Sequence, residues 1–247
     1  MKIFKRQLSM FKRVFFLSIT APSLLLSSVS SVLADGKDDP LLTKVIIDQL
    51  EKRDANGSNP WVLDGQAWIG KDLNKLWLKT ELERVEGDTE EAEFQALYSR
   101  AIAPYWDLQL GLRHDFQPSP SRSWGVIGVQ GIAPYFFEVD TALFIGESGQ
   151  TALRLEAEYE LLFTQQLILT PEVELNFYGQ DDEALAIGLG LSDLEAGLRL
   201  RYEIRREFAP YIGVNWNKNF GNTADFARDE GEDTDDLQWV IGLRAWF

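Results

Sequence analysis

The stretch "LQWVIGLRAWF", residues 237–247, decides the fold. Counting back by twos from Phe247 gives Ala245, Leu243, Ile241, Trp239 and Leu237; the other parity reads Trp246, Arg244, Gly242, Val240 and Gln238. Side chains alternate between the two faces of a strand, so this is a strand with one apolar face. Chain ends are usually polar and loosely held. An aromatic residue completing an apolar face therefore needs a reason, and a sheet whose outer side meets lipid provides one. In that setting the last strand, ending on Phe247, is expected to be the segment presented to the barrel assembly machinery.

The same alternation recurs upstream in segments of about ten residues. "NKLWLKTELERV" puts Leu76, Leu78, Thr80 and Leu82 opposite Trp77, Lys79, Glu81 and Glu83. "TALRLEAEYELLF" puts Leu153, Leu155, Ala157, Tyr159, Leu161 and Phe163 opposite Arg154, Glu156, Glu158 and Glu160. In "LILTPEVELNFYG" the acids Glu172 and Glu174 share a parity, and in "DLEAGLRLRYEIRRE" Arg199, Arg201 and Glu203 do. Twelve strands are expected, near 44–52, 61–70, 74–85, 91–102, 105–116, 123–132, 135–147, 150–163, 166–178, 193–206, 210–218 and 237–247. The first is the least regular, because neither parity of "KVIIDQLEKR" is purely apolar.

The connections alternate in length. One set is tight: "GKDL" and the turns around Pro104, Pro134, Thr164 and Pro210. Most of the other set is longer and polar, including "GQDDEALAIGLGLS" and "KNFGNTADFARDEGEDTDD", read as a solvated acidic loop. The pattern predicts an all-β fold, an antiparallel transmembrane β-barrel of about 12 strands with long extracellular loops and short periplasmic turns. Three of the turns share Ala-Pro-Tyr, in "AIAPYW", "GIAPYF" and "EFAPYI". Proline cannot donate to a ladder and sits at strand ends. The tyrosine after it is expected in a headgroup girdle.

The first residues, "MKIFKRQLSMFKR", carry five basic side chains and no acid, and an apolar, serine-rich run follows up to Ala34. That is a secretory signal peptide over 1–34, leaving a short periplasmic segment over 35–43 and the barrel over 44–247. Cleavage leaves 19 Lys and Arg against 39 acids, a balance that makes nucleic acid a poor partner. A soluble barrel with its apolar face inward would show the same alternation. It would have to pack Leu, Tyr and Phe from every strand into an interior too narrow for them. With lipid outside, Lys79, Glu81, Glu83, Arg154, Glu156, Glu158, Glu160, Glu172, Glu174, Arg199, Arg201 and Arg244 all point into the lumen, as a charged network with an acidic excess.

"ALYSRAIAPYWDLQLGLRHDF", "GVQGIAPYFFEVD", "LSDLEAGLRLRYEIRREFAPYIGVNW" and "EGEDTDDLQWVIGLRAWF" resemble the copper resistance protein B family of Gram-negative outer membranes. The resemblance runs from "DDPLLTKVIIDQLE" to Phe247. It implies a monomeric, non-enzymatic barrel in the outer membrane, in contact with its lipids. It also implies a role in copper resistance beside a periplasmic multicopper oxidase. Members commonly carry a methionine- and histidine-rich segment ahead of the barrel, whereas here the chain reads "DGKDDPLLT" after Ala34.

That departure limits the ligands. Both methionines, Met1 and Met10, lie in the signal peptide, there is no cysteine, and His114 is the one histidine. Thioether and thiolate suit Cu(I), imidazole and oxygen suit Cu(II). Weak, transient copper contact is therefore expected from Glu81, Glu83, Glu156, Glu158, Glu172 and Glu174, with His114 as a further candidate. The bland reading of the acids is that they pair with lumenal Lys and Arg and stiffen the barrel. His114 shares the parity of Leu108, Leu110 and Leu112, which places it at the outer end of the lipid face. Two other classes remain in view. One is an outer-membrane lipid hydrolase using His114 with Ser121 or Ser123; the other is a purely structural barrel.

Overall fold

The computed structural model describes residues 39–55 and 59–247. The signal peptide expected over 1–34, and the first residues of the segment expected over 35–43, lie outside the described residues. The sheet consists of β1 (Leu42–Asp54), β2 (Trp61–Gly70), β3 (Asn74–Val85), β4 (Asp88–Ala103), β5 (Trp106–Gln117), β6 (Arg122–Ala133), β7 (Phe137–Gly146), β8 (Thr151–Glu158), β9 (Leu161–Leu162), β10 (Leu167–Tyr178), β11 (Gly190–Tyr202), β12 (Phe208–Asn219) and β13 (Asp235–Trp246). Each strand pairs antiparallel with its neighbours, and β13 pairs back onto β1 with Trp246 opposite Ile46 and Trp239 opposite Asp54. The sheet is therefore closed and has no free edge.

β8 and β9 are two parts of one stave, which makes the barrel twelve-staved. The break at Tyr159 and Glu160 faces Pro171 of β10. Tyr159 N–H still donates to the Pro171 carbonyl at 3.1 Å, but proline has no N–H to return the bond.

β1 resolves its own ambiguity. Its register shifts between Ile47 and Gln49 against β2, and between Ile47 and Leu50 against β13. This is a β-bulge, which places two consecutive residues on one face. Asp48 bonds Arg244 at 3.4 Å while Gln49 bonds Glu172 at 3.1 Å, so both face the lumen. The inward set is thus Lys44, Ile46 and Asp48 before the bulge and Gln49, Glu51 and Arg53 after it.

Outside, the wall is apolar: Val45, Ile69, Leu76, Leu78, Leu110, Leu112, Ile127, Leu198, Ile212 and Ile241 are all exposed. Aromatic rings mark both rims, Tyr105, Tyr135, Phe136, Phe163 and Phe208 near the short turns and Trp61, Phe116 and Trp239 toward the other end. That is the arrangement of a membrane barrel's girdles. Among the described residues no helix is long and apolar enough to cross a membrane.

The short turns, at 71–73, 104–105, 134–136, 163–166 and 203–207, share one end. At the other end β3 and β4 meet in a two-residue hairpin, Glu86 and Gly87, both at positive φ of 51° and 101°, as a tight turn matched to strand twist requires. The long connections there are 179–189 and 220–234. The second is not the unstructured loop expected: it holds α1 (Gly221–Glu230), which buries Thr223, Ala224 and Ala227 and ends on Gly231 at φ 82°. Gly231 N–H caps the carbonyls of Ala227 and Arg228.

The third Ala-Pro-Tyr also departs from expectation. Tyr105 and Tyr135 sit at turn tips, Tyr135 being 82% exposed, but Pro210 lies inside β12 opposite Leu243 and Tyr211 is only 4% exposed. The third motif begins at the second residue of a strand, so its tyrosine takes the inward parity.

Candidate functional site

The ladder registers bring the acids together. Across β2, β3, β4 and β5, Asp64 stands opposite Glu81, Glu81 opposite Glu93 and Glu93 opposite Asp115. Across β7, β8, β10 and β11, Asp140 stands opposite Glu156, Glu156 opposite Glu174 and Glu174 opposite Glu195. One step toward the turns, Glu138, Glu158 and Glu172 make a third row. Like charges directly opposed across strands repel. The fold repeats that arrangement three times.

Guanidinium groups bridge the rows. Arg154 of β8 reaches across the lumen to Glu93 at 3.1 Å and Glu81 at 3.5 Å, and also meets Glu174 of β10 at 3.3 Å. Arg113 holds Glu93 at 2.8 Å and Asp115 at 2.6 Å. Lys79 pairs with Asp140 at 2.5 Å, and Arg244 with Asp48, Glu158 and Glu160. Glu51, fully buried, receives Arg53 at 2.8 Å, Arg199 at 2.9 Å and the Tyr211 hydroxyl at 2.9 Å. Arg199 also pairs with Glu172, in space left by Gly197: a Cβ there would lie 2.1 Å from the Arg199 guanidinium.

The bracing is incomplete. Among the described residues Asp64, Glu83, Glu91, Glu138 and Glu156 make no ion pair. Carboxylate oxygens of Glu81, Glu91 and Glu93 lie within 4.8 Å of one another. On the same inner face, next to this charge, Trp77, Leu97, Trp124, Val126 and Phe144 form an apolar cluster. The lumen is therefore partly packed and not solely ionic.

Two cavities result. The inner one, about 480 Å³, is lined by Glu81, Glu156, Glu158, Glu172 and Glu174, five of the six expected carboxylates. The outer one, about 500 Å³, takes the sixth, Glu83, together with Glu90 and Glu91. Between them stand Glu93, Arg113 and Arg154, with the Arg113 guanidinium 4.7 Å from the centre of the Phe144 ring.

His114 is elsewhere. It shares its parity with the exposed Leu110, Leu112 and Phe116, and its Nδ1 lies 2.9 Å from Ser123 Oγ while its ring packs edge-on to Phe116 at 4.5 Å. Among the described residues no carboxylate or amide bonds its other ring nitrogen. It therefore does not join the six glutamates. The acids that sequence reading passed over are Asp48, Glu51, Asp64, Glu91 and Glu93. The signal for Glu91 and Glu93 was available, because in "EEAEFQALYS" Phe94, Ala96 and Tyr98 alternate with Glu93, Gln95 and Ser99.

A family profile described as "Copper resistance protein B precursor (CopB)" matches residues 41–247. The chain belongs to the copper resistance protein B family. It is 49% identical over 203 residues to a copper resistance protein B of Escherichia coli, covering 82% of this chain and 69% of that one. It is 48% identical over 210 residues to a copper resistance protein B homolog of Pseudomonas syringae pv. tomato, covering 85% and 71%. In fold it is similar to the NanC porin (TM-score 0.56, 14% identity, 83% of this chain and 99% of that one). The KdgM porin is similar too (TM-score 0.52, 12% identity, 83% and 99%). This member of the copper resistance protein B family is thus an outer-membrane barrel, its apolar wall against lipid and its acids inside.

Proposed function

We propose that the barrel handles copper as Cu(II) in its lumen, through weak and transient carboxylate contacts, and delivers or receives it beside a periplasmic multicopper oxidase. The observation that carries this reading is the three rows of directly opposed carboxylates. A lumen needing only stiffness would alternate acids with bases across strands, and repulsion within the rows is relieved by any cation that enters. The donor set supports Cu(II): among the described residues the inward carboxylates offer oxygen, and the one imidazole faces outward. Such a path selects by charge more than by metal identity. A closed sheet leaves no edge for strand pairing with a second copy, and the monomer is part of this reading. The signal peptide over 1–34 belongs to the same reading.

The test is Cu(II) uptake into liposomes holding the purified barrel. Replacing Glu156, Glu158, Glu172 and Glu174 together by Gln should lower uptake severalfold, with heat-modifiable migration on gels confirming that the variant folds. The difference should shrink as the screening length falls from about 10 Å at 0.1 M salt to about 3 Å at 1 M. Equal uptake by the two proteins would leave the acids as braces only. The hydrolase alternative has one contact in its favour, His114 with Ser123 at 2.9 Å. Lipid hydrolysis by the wild-type protein that Ser123→Ala removes would establish it.

A further inference from the structure

The connection 179–189, between β10 and β11, folds inward: Leu185 and Ile187 line the outer cavity together with Glu91, Arg113 and Tyr178. Its two sides are fastened differently. Toward α1, Gly188 N–H donates to Thr223 Oγ1 at 2.8 Å, and Thr223 Oγ1 lies 2.9 Å from Ser192 Oγ. Asp181 accepts from Leu189 N–H at 2.7 Å and from the Asn222 amide at 3.0 Å, and these bonds hold its carboxyl below the usual range. Gly188 sits so close that a Cβ would lie 2.5 Å from Thr223 N. This side is fixed.

On the opposite side Gly179 N–H, at the end of β10, donates to the Thr151 carbonyl of β8 at 2.8 Å, and beyond that stem the loop is held by the side chain of Asp182. Asp182 Oδ2 accepts from Arg122 Nη2 of β6 at 2.8 Å and from Gln150 Nε2, beside β8, at 3.3 Å. The Arg122 and Asp182 side chains are 19% and 16% exposed, so water reaches the pair. Arg122 Nε and Gln150 Oε1 have no partner, so both side chains that donate to Asp182 are left half satisfied. Asp182 and Ile187 exchange backbone bonds at 2.8 and 3.1 Å, which closes 183–186 into a self-contained tip. A permanent plug would satisfy the polar groups it covers. Among the described residues this loop has a firm hinge, a compact tip and, beyond its stem at Gly179, one side-chain catch at Asp182.

We propose that residues 179–189 form a gate over the outer mouth of the lumen, hinged on α1 and released when Asp182 leaves Arg122. The proposal rests on the reading of the lumen as a cation path, because it assigns the control of entry to that path. A two-state loop responds to the loss of its catch by the factor the catch contributed. For one charge-assisted pair in partial contact with water that factor is about tenfold.

The chain contains no cysteine, so Glu91→Cys places a single thiol in the outer cavity of the full barrel. The rate of its modification by a bulky charged maleimide, added from the loop side in liposomes, reports the gate whether or not copper passes. Adding Asp182→Asn should raise that rate about tenfold. Replacing 183–186 by Gly-Gly, which keeps the Asp182–Ile187 bridge as a two-residue hairpin, should raise it at least as much. Exchanging the charges, Arg122→Asp with Asp182→Arg, should return it toward the slow value. Equal rates in all four proteins, or no recovery in the exchanged pair while Asp182→Asn is fast, would overturn the gate. Cu(II) uptake that ignores the quadruple Gln variant would instead overturn the cation path and leave the labelling result standing.

Discussion

Ile241 and Glu51 sit on neighbouring strands, β13 and β1, a residue apart in register, and meet opposite surroundings. Ile241 is 64% exposed on the outer wall; Glu51 is 0% exposed and holds two guanidinium groups and a phenol. One side of the wall excludes charge because lipid cannot solvate it. The other requires charge because its neighbours are already ionised. Identity and parity together, more than hydrophobicity alone, decide which residue the barrel accepts at each point.

The sharpest way to break this contrast is Ile241→Arg, midway along β13. A guanidinium facing the bilayer centre should cost about 4 kcal/mol, read as a shift in urea unfolding of the barrel refolded into vesicles. On the inner face, Glu156→Arg should be far milder, since Glu156 lies among acids and makes no ion pair. If Glu156→Arg blocked insertion and Ile241→Arg did not, the faces would be reversed. Next in size is Glu51→Leu. It strands Arg53 and Arg199, although Glu195 and Glu172 still hold them, and should cost about 3 kcal/mol. A stability equal to wild type would show that the Glu51 cluster is too wet to matter.

How far this was legible in the sequence follows the same division. Strands whose two faces differ cleanly, such as 61–70 and 74–85, were bounded correctly by alternation. β1 was not, because the bulge at Asp48 and Gln49 exchanges the parities midway and makes a regular strand look mixed. β8 was read as continuous through Phe163, since alternation does not register that Pro171 on the partner strand cannot donate. α1 carries polar residues over much of its surface and so lacked the apolar stripe that reveals a helix. For the site, inward parity was readable, and five of the six expected glutamates line one cavity. Which acids oppose one another was not, because register is fixed by turns and bulges rather than by composition.

The seam between the two ends of the sheet gives a smaller effect. Phe247 N–H donates to the Val45 carbonyl at 2.9 Å and Val45 N–H to the Phe247 carbonyl at 3.0 Å, so the last residue helps close the barrel. Deleting Phe247 removes both bonds and an aromatic girdle residue and should cost about 2 kcal/mol. If the last strand is also what the assembly machinery reads, the loss in cells should exceed the loss in refolding from urea. Heat-modifiable protein in outer-membrane fractions, measured beside refolding yield, separates the two, and equal deficits would assign Phe247 to the seam alone.

The smallest effect is expected at His114, the one imidazole in a chain from a copper resistance family. Its ring lies on the outer wall between Ser123 and Phe116, away from the cavities lined by the acids. His114→Ala removes one side-chain hydrogen bond and an edge-on aromatic contact, together about 1 kcal/mol of stability. Because no lumenal group touches it, Cu(II) uptake should stay within about twofold of wild type, a difference below 0.5 kcal/mol. The quadruple Gln variant, which leaves His114 in place, should lose severalfold. The order of these two losses is the informative quantity. A ranking with His114→Ala the more damaging would move the metal from the lumen to the outer wall, and the opposed carboxylates would then be read as braces for the arginines that cross between them.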